Sequence, residues 1–486
     1  MTGIVIILPL ILAFASLALN SRVVNRLALM SAAVLFVVVP ICRWYGLDWE
    51  LGLGGFLSYF RFDDIGLFFF FIMGLVFAGV AVYSLSYFRM HNLKATEESV
   101  FVAELLAFTV AMAGVILSTN LALLWVFVEA TTLTSALLIY FEKRKSSLEA
   151  TWKYIYICSV GIALAFVGII LLSIGSESVG SLFFSDLYEH ASQVNPVWLK
   201  LAFAFLFVGL GTKIGLAPIH AWLPDAHSEA PSPVSALLSG TLLNSAFLGL
   251  LRVQELVIRA GEEKFSNFIL ILTGFLSLLV SAVYMLRVKN YKRMLAYSSV
   301  ENMGIMILAV GLGPVGLFAA MLQALAHSLS KTSLFLTSGN ILHEYGTKKI
   351  ESVTGLLKRD SVTGWIWIAS FLSIVGIPPF PIFISKFFII RAFWFDGQGW
   401  LAALFFLFII VVTFGMGSAV FKMVFGESSL ESADASKPGL SAYIPQIALL
   451  VMLLIIGINM PQQLHDMLEK AALFLSAGSG GGVLGR

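Results

Sequence analysis

Apolar residues run through this chain in blocks of about twenty, the length that crosses a bilayer, separated by short polar or Gly/Pro-containing breaks. Cutting at the breaks predicts fourteen spans, near residues 3–20, 26–46, 64–87, 99–117, 119–141, 152–174, 197–222, 232–257, 265–286, 294–311, 315–342, 364–392, 398–424 and 442–460. No block alternates as a strand does, and backbone groups in hydrocarbon must find partners within their own segment, so the spans are helices. The expected fold class is an all-α polytopic membrane protein. The first block lacks a basic leader and a small-residue cleavage site, which reads as a retained first span. After Pro461 the pattern becomes that of a short amphipathic helix, QQLHDMLEKAALFLSA, followed by a flexible GSGGGVLGR tail.

Composition agrees: 59% of the 486 residues are hydrophobic and 12% charged, against about 25% charged in soluble domains. A net charge of +2 gives no reason to expect nucleic acid as a partner. Two cysteines, Cys42 and Cys158, cannot supply the four thiolates of an iron–sulfur cluster. No phosphate loop or dinucleotide fingerprint is present, which argues against nucleotide-driven pumping. The longest polar stretches, near 175–196, 343–363 and 426–441, are too short for a soluble domain. Leaving out Lys213, Lys331 and Lys386 inside spans, loops after odd-numbered spans carry 18 Lys and Arg and the other side 9. The basic side is expected to be cytoplasmic, so an even span count places both termini on the exoplasmic side.

Ionisable groups inside spans are expensive and mark function. Glu129 sits mid-span in WVFVEATTL with no basic neighbour in its own helix, and Lys213 lies among Gly209, Gly211, Gly215 and Pro218, which loosen the helical ladder. A desolvated lysine that gains and loses a carboxylate neighbour alternately holds and releases a proton, and Glu129 is the expected carboxylate. The second half offers His327 and Lys331, spaced i,i+4 on one helical face, and Lys386 beside Pro378, Pro379 and Pro381. Interrupted helices in corresponding places of two halves point to inverted repeats. The expected division is 1–98, an N-terminal three-helix segment; 99–257 and 258–425, two five-helix repeats, each with one broken helix; and 426–486, the last span and tail. Between the charged groups lie His220, Asp225, His227, Glu229 and Glu301, read as proton access or loop capping. The seven-residue spacing of the two histidines without cysteine argues against zinc. Asp63 and Asp64 read as solvated caps at a helix start, and Glu104 as an access or interface residue.

The run GTKIGLAPIHAWLPDAHSEAPSPVSALLSG (211–240), with WVFVEATTL, YKRMLAYSSVENMG, AHSLSKTSLF and GIPPFPIFISKF in order, resembles the proton-translocating antiporter-like subunits of respiratory complex I, Mrp antiporters and group 4 hydrogenases. Within them, WVFVEATTLTSALLIYF and EATWKYIYICSVGIALA look most like the hydrogenase-4 component F branch. The resemblance implies a proton relay at mid-membrane through Glu129, Lys213, His327, Lys331 and Lys386. It also implies a non-catalytic subunit of a redox complex, with a NiFe centre and Fe–S clusters in partner subunits and none in this chain. A Na+/H+ exchanger of the Mrp type and a quinone-linked complex I subunit are the alternatives. Where relatives often carry lysine or histidine this chain has Asn244, and Asn302 replaces a frequent histidine, so the relay is expected to run through water or hydroxyls there.

Overall fold

The computed structural model describes residues 1–47, 54–395, 397–426 and 438–475. The GSGGGVLGR tail, Lys437 and most of the polar 426–441 stretch fall outside them. The helices in chain order are α1 Thr2–Leu19, α2 Arg22–Trp44, α3 Asp64–Met90, α4 Ala95–Leu117, α5 Leu121–Ile139, α6 Lys145–Gly175, α7 Phe184–Glu189, α8 Pro196–Ile214, α9 Trp222–Glu229, α10 Ser232–Leu237, α11 Leu243–Arg259, α12 Glu263–Met285, α13 Tyr291–Gly311, α14 Pro314–Tyr345, α15 Leu356–Arg359, α16 Ser361–Val375, α17 Pro381–Phe395, α18 Gly399–Phe425, α19 Ile444–Ile458 and α20 Gln462–Leu473. Among the described residues there is no strand, only three isolated bridges.

Eleven of these helices are long and apolar enough to cross a membrane, with α10 and α11 joined through a π-helical turn, Leu238–Leu242, as one span. The count is up to twelve if α19 and α20, bent by 81°, form one span. The remaining expected spans are α14 and the pair α16 and α17. The first carries Gln323, His327 and Lys331 and packs inside the bundle; the second is broken into two short helices, which turn Trp365, Phe387 and Trp394 outward. The span Ser232–Arg259, α13 and α14 form its centre, while α1, α2, α6, α12 and α18 present Phe14, Val23, Tyr156, Phe268 and Phe414 outward.

Two local designs occur twice. Asn120 caps α5 by accepting from the amides of Ala122 and Leu123 and bridges to Phe183; Asn290 caps α13 by accepting from Lys292 and Arg293 and bridges to Lys349. The broken helices match as well. After α8, Gly215 at φ +82° and Leu216 both donate to the carbonyl of Gly211; after α16, Gly376 at φ +80° and Ile377 both have capping bonds, to Ser373 and Leu372. Glycine fits these left-handed caps without a Cβ clash, and the proline two or three residues on prevents continuation of the helix.

Close backbone approach makes α6 and α8 cross tightly: a Cβ on Gly209 would lie 2.5 Å from Ala165 Cβ and 2.6 Å from Gly161 O. Neither neighbour can swing away, one being backbone. Gly209→Val is therefore expected to cost about 1–3 kcal/mol by overpacking, read as a lower apparent melting temperature of the purified protein. An unchanged value would show that the crossing relaxes.

Candidate functional site: a buried polar line

The broken helix ending at Ile214 leaves Lys213 in the last turn of α8, 1% exposed. Its Nζ donates to Thr132 Oγ1 on α5 (2.8 Å) and to the Tyr154 hydroxyl on α6 (2.6 Å), and lies 4.7 Å from the Tyr154 ring centroid. Tyr154 in turn sits 2.6 Å from Ser135 Oγ. Trp222 donates to the carbonyl of Thr212 (2.8 Å), which also accepts from the Gly215 amide, fixing α9 against the end of α8. Glu129, one turn from Thr132 on α5, accepts from Ser159 Oγ (3.1 Å), while its second oxygen is buried without a protein partner.

The expected Glu129–Lys213 ion pair is not formed: no oxygen of Glu129 lies within 4.0 Å of Lys213 Nζ. Two hydroxyls hold the ammonium instead. Glu129 and Thr132, which holds the lysine, thus stand i,i+3 on one face of α5, with carboxylate and ammonium apart.

Past this group the line is uncharged. The π turn of Leu238–Leu242 places Ser239 Oγ 2.8 Å from Ser299 Oγ on α13. Asn244 donates to Ser328 Oγ on α14 (2.6 Å) and keeps its Oδ1 without a protein partner. Asn302 donates to Ser298 O (2.7 Å) and accepts from Gln323 Nε2 (2.6 Å). His227 and His327 are fully buried, and none of their four ring nitrogens has a protein partner; His227 stacks on Phe335, centroids 4.9 Å apart.

The second half ends the line with charge. Lys331 Nζ donates to the Leu295 carbonyl of α13 (2.6 Å). Lys386 on α17 lies 3.4 Å from Glu301 Oε1 and donates to Val375 O, the last carbonyl of α16 (3.2 Å). Both partners of that pair are more than nine-tenths buried. Here the lysine follows the break of its helix, whereas Lys213 precedes it. Glu301, expected near an access point, is a buried counter-ion.

His220 stands outside this line, half-buried and 6.3 Å from the Tyr297 ring. Asp225 is held by Lys153 (3.2 Å) and Arg293, and Glu229 by Lys348 (3.1 Å) and Ser146 (2.8 Å), so these two anchor loops near α9. Lys292, counted above among the loop charges, is 1% exposed and donates to Ala230 O (2.9 Å). Its YKR setting gave no sign of burial. Tyr154, Thr132, Ser159 and Gln323 were also missed, because a hydroxyl or amide in a span reads as ordinary helix packing.

Asp63 is more than a solvated cap. It accepts from the Gly66 amide (2.9 Å) and binds Arg252 through both oxygens, at 2.6 and 3.0 Å; Arg252 is 3% exposed and also donates to Ile116 O. Removing Asp63 leaves the buried Arg252 with the Ile116 carbonyl as its acceptor, but the carboxylate itself is 33% exposed, which screens the pair. Asp63→Ala is expected to destabilise by roughly 1–3 kcal/mol, seen as loss of folded protein on mild heating. Wild-type heat resistance would mean that Arg252 finds another acceptor.

Three comparisons bear on this arrangement. Residues 118–413 match the family model described as NADH:quinone oxidoreductase/Mrp antiporter, TM. A hydrogenase-4 component F homolog of Methylacidiphilum infernorum is 34% identical over 367 residues, covering 74% of this chain and 75% of the relative. Hydrogenase-4 component B of Escherichia coli is 32% identical over 341 residues, 68% of this chain; the match spans 50% of that longer relative. Among solved structures, a chain of the membrane-bound sulfane sulfur reductase, an archaeal respiratory membrane complex, superposes with a TM-score of 0.86 at 24% identity, covering 98% of both chains.

Proposed function

Starting from a chain that belongs to the NADH:quinone oxidoreductase/Mrp antiporter membrane family, we propose that it is the proton-translocating subunit of a redox-driven complex of the group 4 hydrogenase type. The observation that carries this reading is the line of titratable and polar groups from the half-buried Glu129 through the buried Lys213, Asn244, His327 and Lys331 to Lys386. Maintaining several ionisable groups inside a bundle has a steep desolvation cost that structure alone does not require, since apolar replacements are often as stable. Protons pass by re-pairing: Lys213 gains affinity for a proton when Glu129 swings toward it and loses affinity when Glu129 turns to Ser159 or to a cation beyond. The uncharged middle, with the unpartnered Asn244 Oδ1, Gln323 Oε1 and Ser298 Oγ, is where water completes the connection. Glu301 and Lys386 form the far terminal of the same relay.

The paired asparagine caps and paired glycine breaks support two repeats, 99–257 and 258–425, of opposite orientation, since an odd number of spans separates their starting points. The membrane is the prokaryotic cytoplasmic membrane, with both termini on its exoplasmic side. Redox cofactors, a NiFe centre and Fe–S clusters, reside in partner subunits. This chain's donors do not suit them: its two cysteines stand on different helices, α2 and α6, short of the thiolate set a cluster takes. Purification in mild detergent with its bound partners tests the assignment. Co-purification of a NiFe large subunit with Fe–S proteins is expected; recovery with small exchanger subunits alone would make it an Mrp-type Na+/H+ antiporter subunit instead.

A further inference from the structure

Away from the polar line, a groove of about 390 Å³ lies where α2, α3, α14, α19 and α20 meet. Phe71 and Leu75 of α3, Leu325 of α14 and Ile455 of α19 form its wall, and among the described lining residues Gln463 of α20 alone bears an amide side chain. It reaches from the end of α2, at Trp44, to Leu325, close to His327 on the same helix. The 81° bend between α19 and α20 lays α20 across this end of the bundle and shapes the groove.

The ends of the lining helices carry the residue types that sit at lipid headgroup level. Arg43 and Trp44 close α2, Tyr45 follows, and Lys470 of α20 is exposed with its Nζ 4.7 Å from the Trp44 ring centroid. Of the acidic groups of α20, Asp466 accepts from Gln462 (2.7 Å), and Glu469 points back along the helix, 3.8 Å from His465 Nδ1 and beyond hydrogen-bond distance. Lys470 is thus the cation presented beside the groove. Its wall is apolar from Ile41 and Phe71 to Ile455 and Met452 and polar only toward Gln463, the arrangement of a hydrocarbon chain whose headgroup sits at the aromatic end. Its volume falls within the roughly 300–1,000 Å³ of small-molecule sites. A quinone headgroup would need hydrogen-bond donors along the wall, which is apolar except near Gln463 and the aromatic end.

We propose that this groove holds one acyl chain of an anionic bilayer phospholipid, with the phosphate at Lys470. The chain fills the angle between α19 and α20 and supports α14 behind the buried histidine and lysine. Native mass spectrometry of the complex, purified in mild detergent and then washed with a delipidating detergent, tests it. One tightly held anionic phospholipid assigned to this subunit is expected, with retention at least fivefold lower in Leu75→Trp, which fills the groove. The exposed change Lys470→Glu, which leaves folding undisturbed, should lower retention of phosphatidylglycerol by a similar factor. Unchanged retention in Lys470→Glu overturns the proposal whether or not Leu75→Trp folds. So does a photo-reactive benzoylphenylalanine at Ile455 that cross-links to polypeptide in place of lipid.

Discussion

Replacing Lys213 by alanine is expected to lower redox-coupled proton transport at least tenfold while electron transfer in the peripheral partners stays measurable. The reason is local. Lys213 stands at the break of α8, nearly fully buried, and among the described residues its ammonium is hydrogen-bonded by the hydroxyls of Thr132 and Tyr154. Alanine leaves those hydroxyls able to bond to each other's neighbours, with Ser135 already 2.6 Å from Tyr154, so the loss of about 1–3 kcal/mol for a disturbed hydrogen-bonded site should not unfold the chain. Lys213→Arg separates two explanations. A guanidinium keeps the positive charge but does not release its proton, so transport should fail in it too. Proton transport in Lys213→Arg at the wild-type rate would show that the site needs charge and not proton exchange.

The second large effect is expected at the other end. Glu301 and Lys386 form a buried pair, 3.4 Å apart, with the lysine also bound to the open end of α16. Lys386→Met alone strands a carboxylate and Glu301→Gln alone strands an ammonium, each costing about 3–5 kcal/mol. The double variant removes both charges and should regain most of that loss, because an apolar or neutral replacement of a buried pair is often as stable as the pair. Transport should be absent in all three. Apparent melting temperatures measured beside vesicle transport give the check: a double variant no more stable than the singles would mean the two residues act independently. Transport in a stable double variant would remove the pair from the relay.

The positions of charge were legible in the sequence because an ionisable residue in an apolar run has few innocent explanations. Glu129, Lys213, His327, Lys331 and Lys386 all lie in the interior or its immediate boundary, and the breaks at Gly215 and Gly376 follow from glycine and proline spacing. Partners were not legible, since pairing depends on how helices far apart in the chain are set against one another. Thr132 and Tyr154, not Glu129, hold Lys213; Arg252 reaches across 189 residues to Asp63. Length and apolarity alone mark eleven or up to twelve spans among the described helices, and α14 is not among them. The helix α14, which carries Gln323, His327 and Lys331, is polar because it is enclosed by other helices, so measures of apolarity that find lipid-facing spans pass over it. Lys292 shows the converse: a basic triplet that looks like a topology signal contains a lysine tucked under the loop surface at Ala230.

The most direct test of the central claim is simultaneous recording of electron flux and internal pH in sealed inverted vesicles holding the intact complex, in Na+-free medium. The account predicts acidification of the lumen that tracks electron flux, is abolished by a protonophore, and is missing in Lys213→Ala vesicles with comparable flux. Electron flux without any pH change, or a pH change that appears only when Na+ is added, would contradict it.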